Sequence, residues 1–146
     1  MTQAQVGAWH HSGIVVEDLD AALAYYSRTL GYEVVFRPPR MTDLIQRTLG
    51  MPGIDCELAQ LASPVAGVRL ELLQFGNVPA DADRRLPVWP GVAHTAYVVP
   101  DLGRAIAEAE AAGGRVLGEV VAFPECRAAY VQTPVGTVVE LEEETA

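Results

Sequence analysis

The chain has 146 residues, half of them hydrophobic and a fifth charged, enough for one domain with a substantial core. Nineteen acidic residues face ten basic ones, for a formal net charge of −9. That excludes the basic surface which nucleic acid or anionic lipid needs, so neither is expected as a partner. All ten basic residues are arginines, which rules out a lysine Schiff base and a P-loop lysine.

No apolar run approaches the ~18 residues of a membrane span. Met1 to His11 holds no basic region followed by an apolar stretch, so no secretory leader is expected and the cytoplasm is the expected location. Cys56 and Cys126 are far apart with no CxxC spacing and read as free thiols among apolar neighbours.

In chain order, His11 to Val16 is a short β-branched run. Asp18 is an N-cap candidate, and Leu19, Ala22, Leu23, Tyr26 and Leu30 follow helical spacing up to Gly31. Strands are expected over Glu33–Arg37, Asp55–Leu61 and Val68–Phe75, with a short amphipathic helix inside Met41 to Leu49. Gly76 to Gly91 holds three prolines and reads as a linker. Val92 to Val99 is again a strand, and Asp101 again a cap. Leu102, Ala105, Ile106 and Ala109 again have helical spacing, ended by Gly113 and Gly114. Strands follow over Arg115–Ala122, Arg127–Gln132 and Thr137–Glu142; Glu142, Glu143 and Glu144 read as a solvated terminus.

This is a repeat. His11, Val15, Val16, Asp18, Leu19, Ala22, Ala24 and Gly31 recur as His94, Val98, Val99, Asp101, Leu102, Ala105, Ala107 and Gly114, always 83 residues on. The expected fold is α+β: two βαβββ modules with pseudo-twofold symmetry in a single domain over 1–146. Module one spans about 7–75, the linker about 76–91 and module two about 92–144.

Side chains alternate along strands. Ile14, Val16, Leu70, Leu72, Val139 and Leu141 supply an apolar face for helices to cover. The opposite face then carries His11, Glu71, His94 and Glu140, the imidazoles on first strands and the carboxylates on last strands. Two nitrogen and two oxygen ligands without thiolate form a divalent metal site suited to Zn, Ni, Co, Mn or Fe(II), one ion per site.

These residues resemble the vicinal oxygen chelate superfamily, which includes glyoxalase I, methylmalonyl-CoA epimerase, extradiol dioxygenases, and fosfomycin and bleomycin resistance proteins. Its hallmark, a His seven residues before Asp-Leu, is matched at His11–Asp18 and at His94–Asp101. "DLDAALAYYSRTLGYEVV" looks like its first helix and next strand, "RLELLQF" like the strand with the ligand Glu71, and "TPVGTVVEL" like the closing hairpin with the ligand Glu140. Thr133 departs from the acidic residue usual in that hairpin. The resemblance implies curved mixed sheets forming an open cup around a metal, with modules pairing within a chain or across a homodimer.

Four ligands match the glyoxalase I and epimerase branch better than the three of the dioxygenases and fosfomycin transferases. The resemblance therefore implies a metal-dependent lyase or isomerase for a small molecule with a carbonyl or vicinal oxygens. Such an enzyme polarises the carbonyl and moves the adjacent proton through an enediolate. An Fe(II) extradiol-type dioxygenase and a non-catalytic small-molecule binding or resistance protein are the alternatives. By resemblance to glyoxalase I, Glu140 is the first candidate base; Glu57, on a third-strand alternation with Asp55 and Ala59, is the second.

The cup-facing set Val15, Leu73, Ala96 and Val138 is mostly apolar, and Val15 stands where glyoxalase I tends to carry an arginine for glutathione. Arg69 and Arg127 are the cationic candidates for substrate binding, or for pairing with neighbouring acids. Trp9, Trp89 and Phe75 are candidates for the mouth. His10 has no repeat partner and reads as a surface residue or one standing behind a ligand.

Overall fold

Asp18 and Asp101 begin the two equivalent helices as the repeat requires. Each has extended backbone, and its carboxylate accepts the N–H three residues on: Ala21 at 2.9 Å and Arg104 at 3.0 Å. The computed structural model describes residues 7–145, so most of the stretch read for a leader lies outside the described residues. The element order is β1 (Trp9–Val15), α1 (Leu19–Leu30), β2 (Glu33–Phe36), α2 (Asp43–Leu49), β3 (Asp55–Ala62), β4 (Arg69–Gly76), β5 (Ala93–Val98), α3 (Leu102–Ala111), β6 (Arg115–Val116), β7 (Val121–Ala122), β8 (Cys126–Gln132) and β9 (Val138–Glu144). No helix among the described residues is long and apolar enough to cross a membrane.

The strands form one curved, open mixed sheet in the order β2-β3-β4-β1-β5-β9-β8-β6, with β7 also on β8. Within each half the first strand lies parallel to the last, β1 to β4 and β5 to β9. The halves join edge to edge through the antiparallel pair β1–β5, so they pair within this chain and share one sheet rather than building two.

The outer face is aliphatic. Leu19 on α1 packs with Ala59, Leu61 and Leu72, and α3 brings Leu102 and Ala105 against Val131 and Leu141. The inner face carries a third cluster, in which α2 sets Ile45 and Leu49 against Leu58, Leu73, Tyr130 and Val138. Val88 of the linker is 1% exposed and belongs to this cluster, so the linker supplies part of the core.

Two expectations change. The strand expected over Arg115–Ala122 is two short pieces. Its middle leaves β8 to meet the end of α2, where Glu119 N–H donates to the Arg47 carbonyl at 3.1 Å. A Cβ on Gly118 would lie 2.2 Å from that carbonyl oxygen, so only glycine permits the approach. The carboxylates read as a solvated terminus instead continue β9, because Glu142, Glu143 and Glu144 pair with Ala128, Arg127 and Cys126 of β8. Glu142 is buried on the inner face. Glu143 Oε2 accepts from the Leu102 N–H at 2.7 Å, satisfying the start of α3.

Leu72 is fully buried between sheet and α1. Leu72→Ala is expected to cost about 2–5 kcal/mol, read as a lower midpoint with unchanged slope in urea unfolding.

Candidate metal centre

The seam between β1 and β5 assembles the centre. Gly13 of β1 stands between Glu71 of β4 and His94 of β5; Ala96 of β5 stands between His11 of β1 and Glu140 of β9. Each small residue thus has a carboxylate on its parallel side and an imidazole on its antiparallel side. A Cβ at Gly13 would fall 2.1 Å from His94 Cε1, inside the ring's own space. Gly13 is what allows the His94 imidazole to lie across β1 toward His11.

The two Nε2 atoms are 3.2 Å apart. Glu140 Oε2 lies 3.3 Å from each, and Glu71 Oε1 lies 3.6 Å from His11 Nε2 and 3.7 Å from His94 Nε2. All four residues are buried, at 1% exposure for His11, 3% for His94, 6% for Glu71 and 9% for Glu140. Donors held ~2.1 Å from a common ion stand roughly 3.0–3.4 Å apart, so this spacing fits a divalent cation. Glu140 Oε2 is buried without a hydrogen-bond partner, an orphaned acceptor that suits a cation. Two imidazoles and two carboxylates are the right donors for it.

The electrostatics agree. Burial alone pulls the His11 imidazole down, but Glu140 and Glu71 outweigh it and push its pKa up to about 11. Burial also works to raise both carboxyls, yet the imidazoles hold Glu71 and Glu140 below the usual range. The cluster draws a positive charge to its middle. Glu142, two residues along β9, is raised to about 8 by burial and by the Glu140 charge.

Neighbours hold the four side chains. Gln60 faces Glu71 across β3–β4, and its Nε2 donates to Glu71 Oε2 at 2.9 Å, leaving Oε1 toward the imidazoles. Tyr130 takes the same place opposite Glu140 across β8–β9, but its ring meets His94 edge to face at 5.2 Å instead. A cavity of about 730 Å³ opens over Glu71 and Glu140, walled by Phe36, Met41, Leu44, Ile45, Leu58, Leu73 and Tyr130, with Arg37 and Arg40 among its polar residues.

Of the residues read from sequence, His11, Glu71, His94 and Glu140 come together, and Leu73 lines the cavity. Arg69 lies beside it, with His10 and Gln60, in a smaller concavity of about 420 Å³. Val15 is buried beside Leu73 and outside the cavity wall. Trp89 packs on the core, its Nε1 donating to the Asp83 carbonyl and its ring under the Arg84 guanidinium. Arg127 turns outward to Glu143 at 2.8 Å.

Glu57 is on the outer side of β3, paired with Arg40; Leu58 and Gln60 hold the inner side. The alternation of β3 is therefore opposite to the expected one. Both of its faces are apolar, Cys56 and Leu58 within and Ala59 and Leu61 without, so a period of two does not mark the inner face. Cys56 and Cys126 are free, as read, and burial pushes the Cys126 thiol up to about 12. Sequence reasoning passed over Gln60 and Tyr130, for which the register opposite Glu71 and Glu140 was the signal, and it took Glu142 for a solvated residue.

Fold and centre together define a class: paired βαβββ modules around an inward His₂–carboxylate₂ cluster. The Glyoxalase/Bleomycin resistance protein/Dioxygenase superfamily profile matches residues 10–130, and the chain belongs to that superfamily. Methylmalonyl-CoA epimerase from Mycobacterium tuberculosis is similar in structure, with a TM-score of 0.70 at 23% identity over 100% of this chain and 93% of that one. A variant Streptomyces coelicolor methylmalonyl-CoA epimerase, in complex with 2-nitronate-propionyl-CoA, gives 0.64 at 24% identity over 97% and 99%. A hypothetical protein from Bacillus halodurans gives 0.68 at 19% over 95% of each chain. At these identities the likeness is one of fold. No curated protein matches the sequence.

Gly13→Ala is expected to leave the circular dichroism of the fold intact and to displace the His94 ring. Divalent metal content by mass spectrometry should drop well below that of the unchanged protein, whereas Ala96→Gly, which removes only a methyl, should retain it.

Proposed function

We propose that this protein is a metal-dependent lyase or isomerase that shifts a proton next to a substrate carbonyl, with His11, Glu71, His94 and Glu140 as the metal's ligands. The observation that carries the reading is the inequality of the two carboxylates. Glu71 is fastened by Gln60, whereas Glu140 keeps an oxygen without a hydrogen bond beside an apolar cavity. A divalent ion held by these residues would polarise the carbonyl and acidify the neighbouring C–H.

Glu140 then takes that proton and returns it to the adjacent carbon of the enediolate. Leu58, Leu73 and Phe36 exclude water and receive the apolar body of the substrate, while the carbonyl or vicinal oxygens turn toward the imidazoles. Four donors support the glyoxalase and epimerase branch over the three-ligand dioxygenases. Arg69, at the smaller concavity beside the cavity, is the cation for a substrate carboxylate. A homodimer completes the reading, supported by the edge strand β2, on which Val34, Val35 and Phe36 are all exposed.

The test is exchange of the α-proton into D₂O, followed by NMR over a panel of 2-oxoacids, hemithioacetals and acyl-CoA thioesters, for metal-loaded protein. Glu140→Gln keeps an oxygen donor but no base. It is expected to fold, to retain metal by mass spectrometry and to lose roughly 10²–10⁴-fold in exchange rate. Undiminished exchange in that variant would remove Glu140 from the role; no exchange by the unchanged protein on any member of the panel would sink the proton-transfer reading.

A further inference from the structure

His10 stands on the same face as His11 although the two are adjacent in β1. Strict alternation would send one of them to the outer face. The register explains it: Trp9 pairs with Tyr97 and His11 with Ala96, so β1 carries two residues where β5 carries one, and His10 is the extra residue of a β-bulge. The ladder resumes beyond the bulge, with Val98 N–H donating to the Ala8 carbonyl at 2.8 Å and Gly7 N–H to the Val98 carbonyl at 2.7 Å. The irregularity is confined to one residue, and what it does is turn that residue inward.

There His10 meets the far side of His11. The two Nδ1 atoms are 2.8 Å apart, and the rings cross edge to face with centroids at 5.1 Å. At that distance one nitrogen donates and the other accepts. His11 Nε2 points at His94 and the two carboxylates, so a His11 that offers this nitrogen's lone pair to a cation must carry its proton on Nδ1. Among the described residues, the hydrogen-bond partner of His11 Nδ1 is His10 Nδ1.

We infer that His10 is a positioning residue for the metal: it accepts the Nδ1–H of His11 and thereby fixes the tautomer and ring orientation in which His11 is a ligand. The inference rests on the metal-centre reading given above. A ligating imidazole needs a partner for its second nitrogen, commonly a carboxylate or a backbone carbonyl. A neutral acceptor suits this site better than a carboxylate. Glu71, Glu140 and Glu142 already crowd the inner face, and Glu142 Oε2 stands 3.7 Å from His10 Nδ1.

The repeat shows that the device is particular to one half. Ala93, 83 residues after His10, offers no imidazole behind His94, and β5 has no bulge at that point. His94 is held instead by Gly13 beneath it and Tyr130 against its ring. The two imidazole ligands are thus oriented by different means, one by hydrogen bonding and one by packing.

The test uses Co²⁺ as the probe and reads its affinity by competition with a chelating indicator dye. His10→Ala removes the acceptor; His10→Asn restores one, since the amide Oδ1 takes nearly the place of Nδ1. Co²⁺ binding should weaken about 10–100-fold in His10→Ala, and His10→Asn should recover to within a few-fold of the unchanged protein. Thermal melting of all three metal-free proteins checks that the fold is equally stable. Equal affinity in His10→Ala would overturn the proposal. So would His10→Asn as weak as His10→Ala with both folded. If the unchanged protein itself fails to bind Co²⁺, the metal centre falls, and the assignment of His10 falls with it, a result distinguishable from the other two.

Discussion

The antiparallel seam between β1 and β5 is the constraint on which the centre depends. Parallel neighbours alone would set each carboxylate beside its own first strand, with the two halves' ligands apart. Pairing β1 with β5 in opposite directions puts His11 across from Ala96 and His94 across from Gly13. Each imidazole then leans over the residue opposite, toward the other half. That works only if the residue opposite is small, and at position 13 only if it has no side chain at all. One glycine in a strand, normally a weakness, is here the condition for ligands from both halves to converge.

Apolar packing occupies both faces of the sheet, whereas the buried ionisable cluster is confined to the inner one. The outer face buries leucine, valine and alanine under α1 and α3, and the inner face adds an apolar cluster of its own beneath α2 and Val88. The inner face buries His11, Glu71, His94, Glu140 and Glu142, groups whose removal from water costs several kcal/mol each unless compensated. Positive charge at the centre provides the compensation, as a proton on His11 or as a cation among the four donors. The fold already closes over aliphatic side chains, so the geometry of these buried groups need not serve folding.

The sequence exposed those features that rest on periodicity and repetition. The 83-residue offset located the halves, and alternation in β1, β4, β5 and β9 placed His11, Glu71, His94 and Glu140 together, because each of these strands has one aliphatic and one polar-bearing face. The same rule misled in β3, where helices pack on both sides and the two faces look alike. It also placed the end of β9 in solvent, since a run of glutamates carries no sign that a neighbouring strand continues alongside. His10 was hidden for a different reason. A bulge is a property of pairing between two strands, and β1 read by itself gives no indication that its register slips against β5 at that residue.

The departures from symmetry locate the function more closely than the symmetry does. Equivalent positions opposite the two carboxylates hold Gln60 and Tyr130, one a hydrogen-bond donor to its carboxylate and the other turned to an imidazole. The first half has an imidazole behind its histidine ligand, the second an aromatic ring beside it. A centre required only to hold an ion would gain from restraining all four ligands alike. In this one Glu71 and His11 are each tied by a hydrogen bond from outside the cluster, while Glu140 has a free oxygen next to the cavity. Three tethered side chains and one carboxylate with an unpartnered oxygen support the proposed division of labour, in which Glu140 is the proposed base.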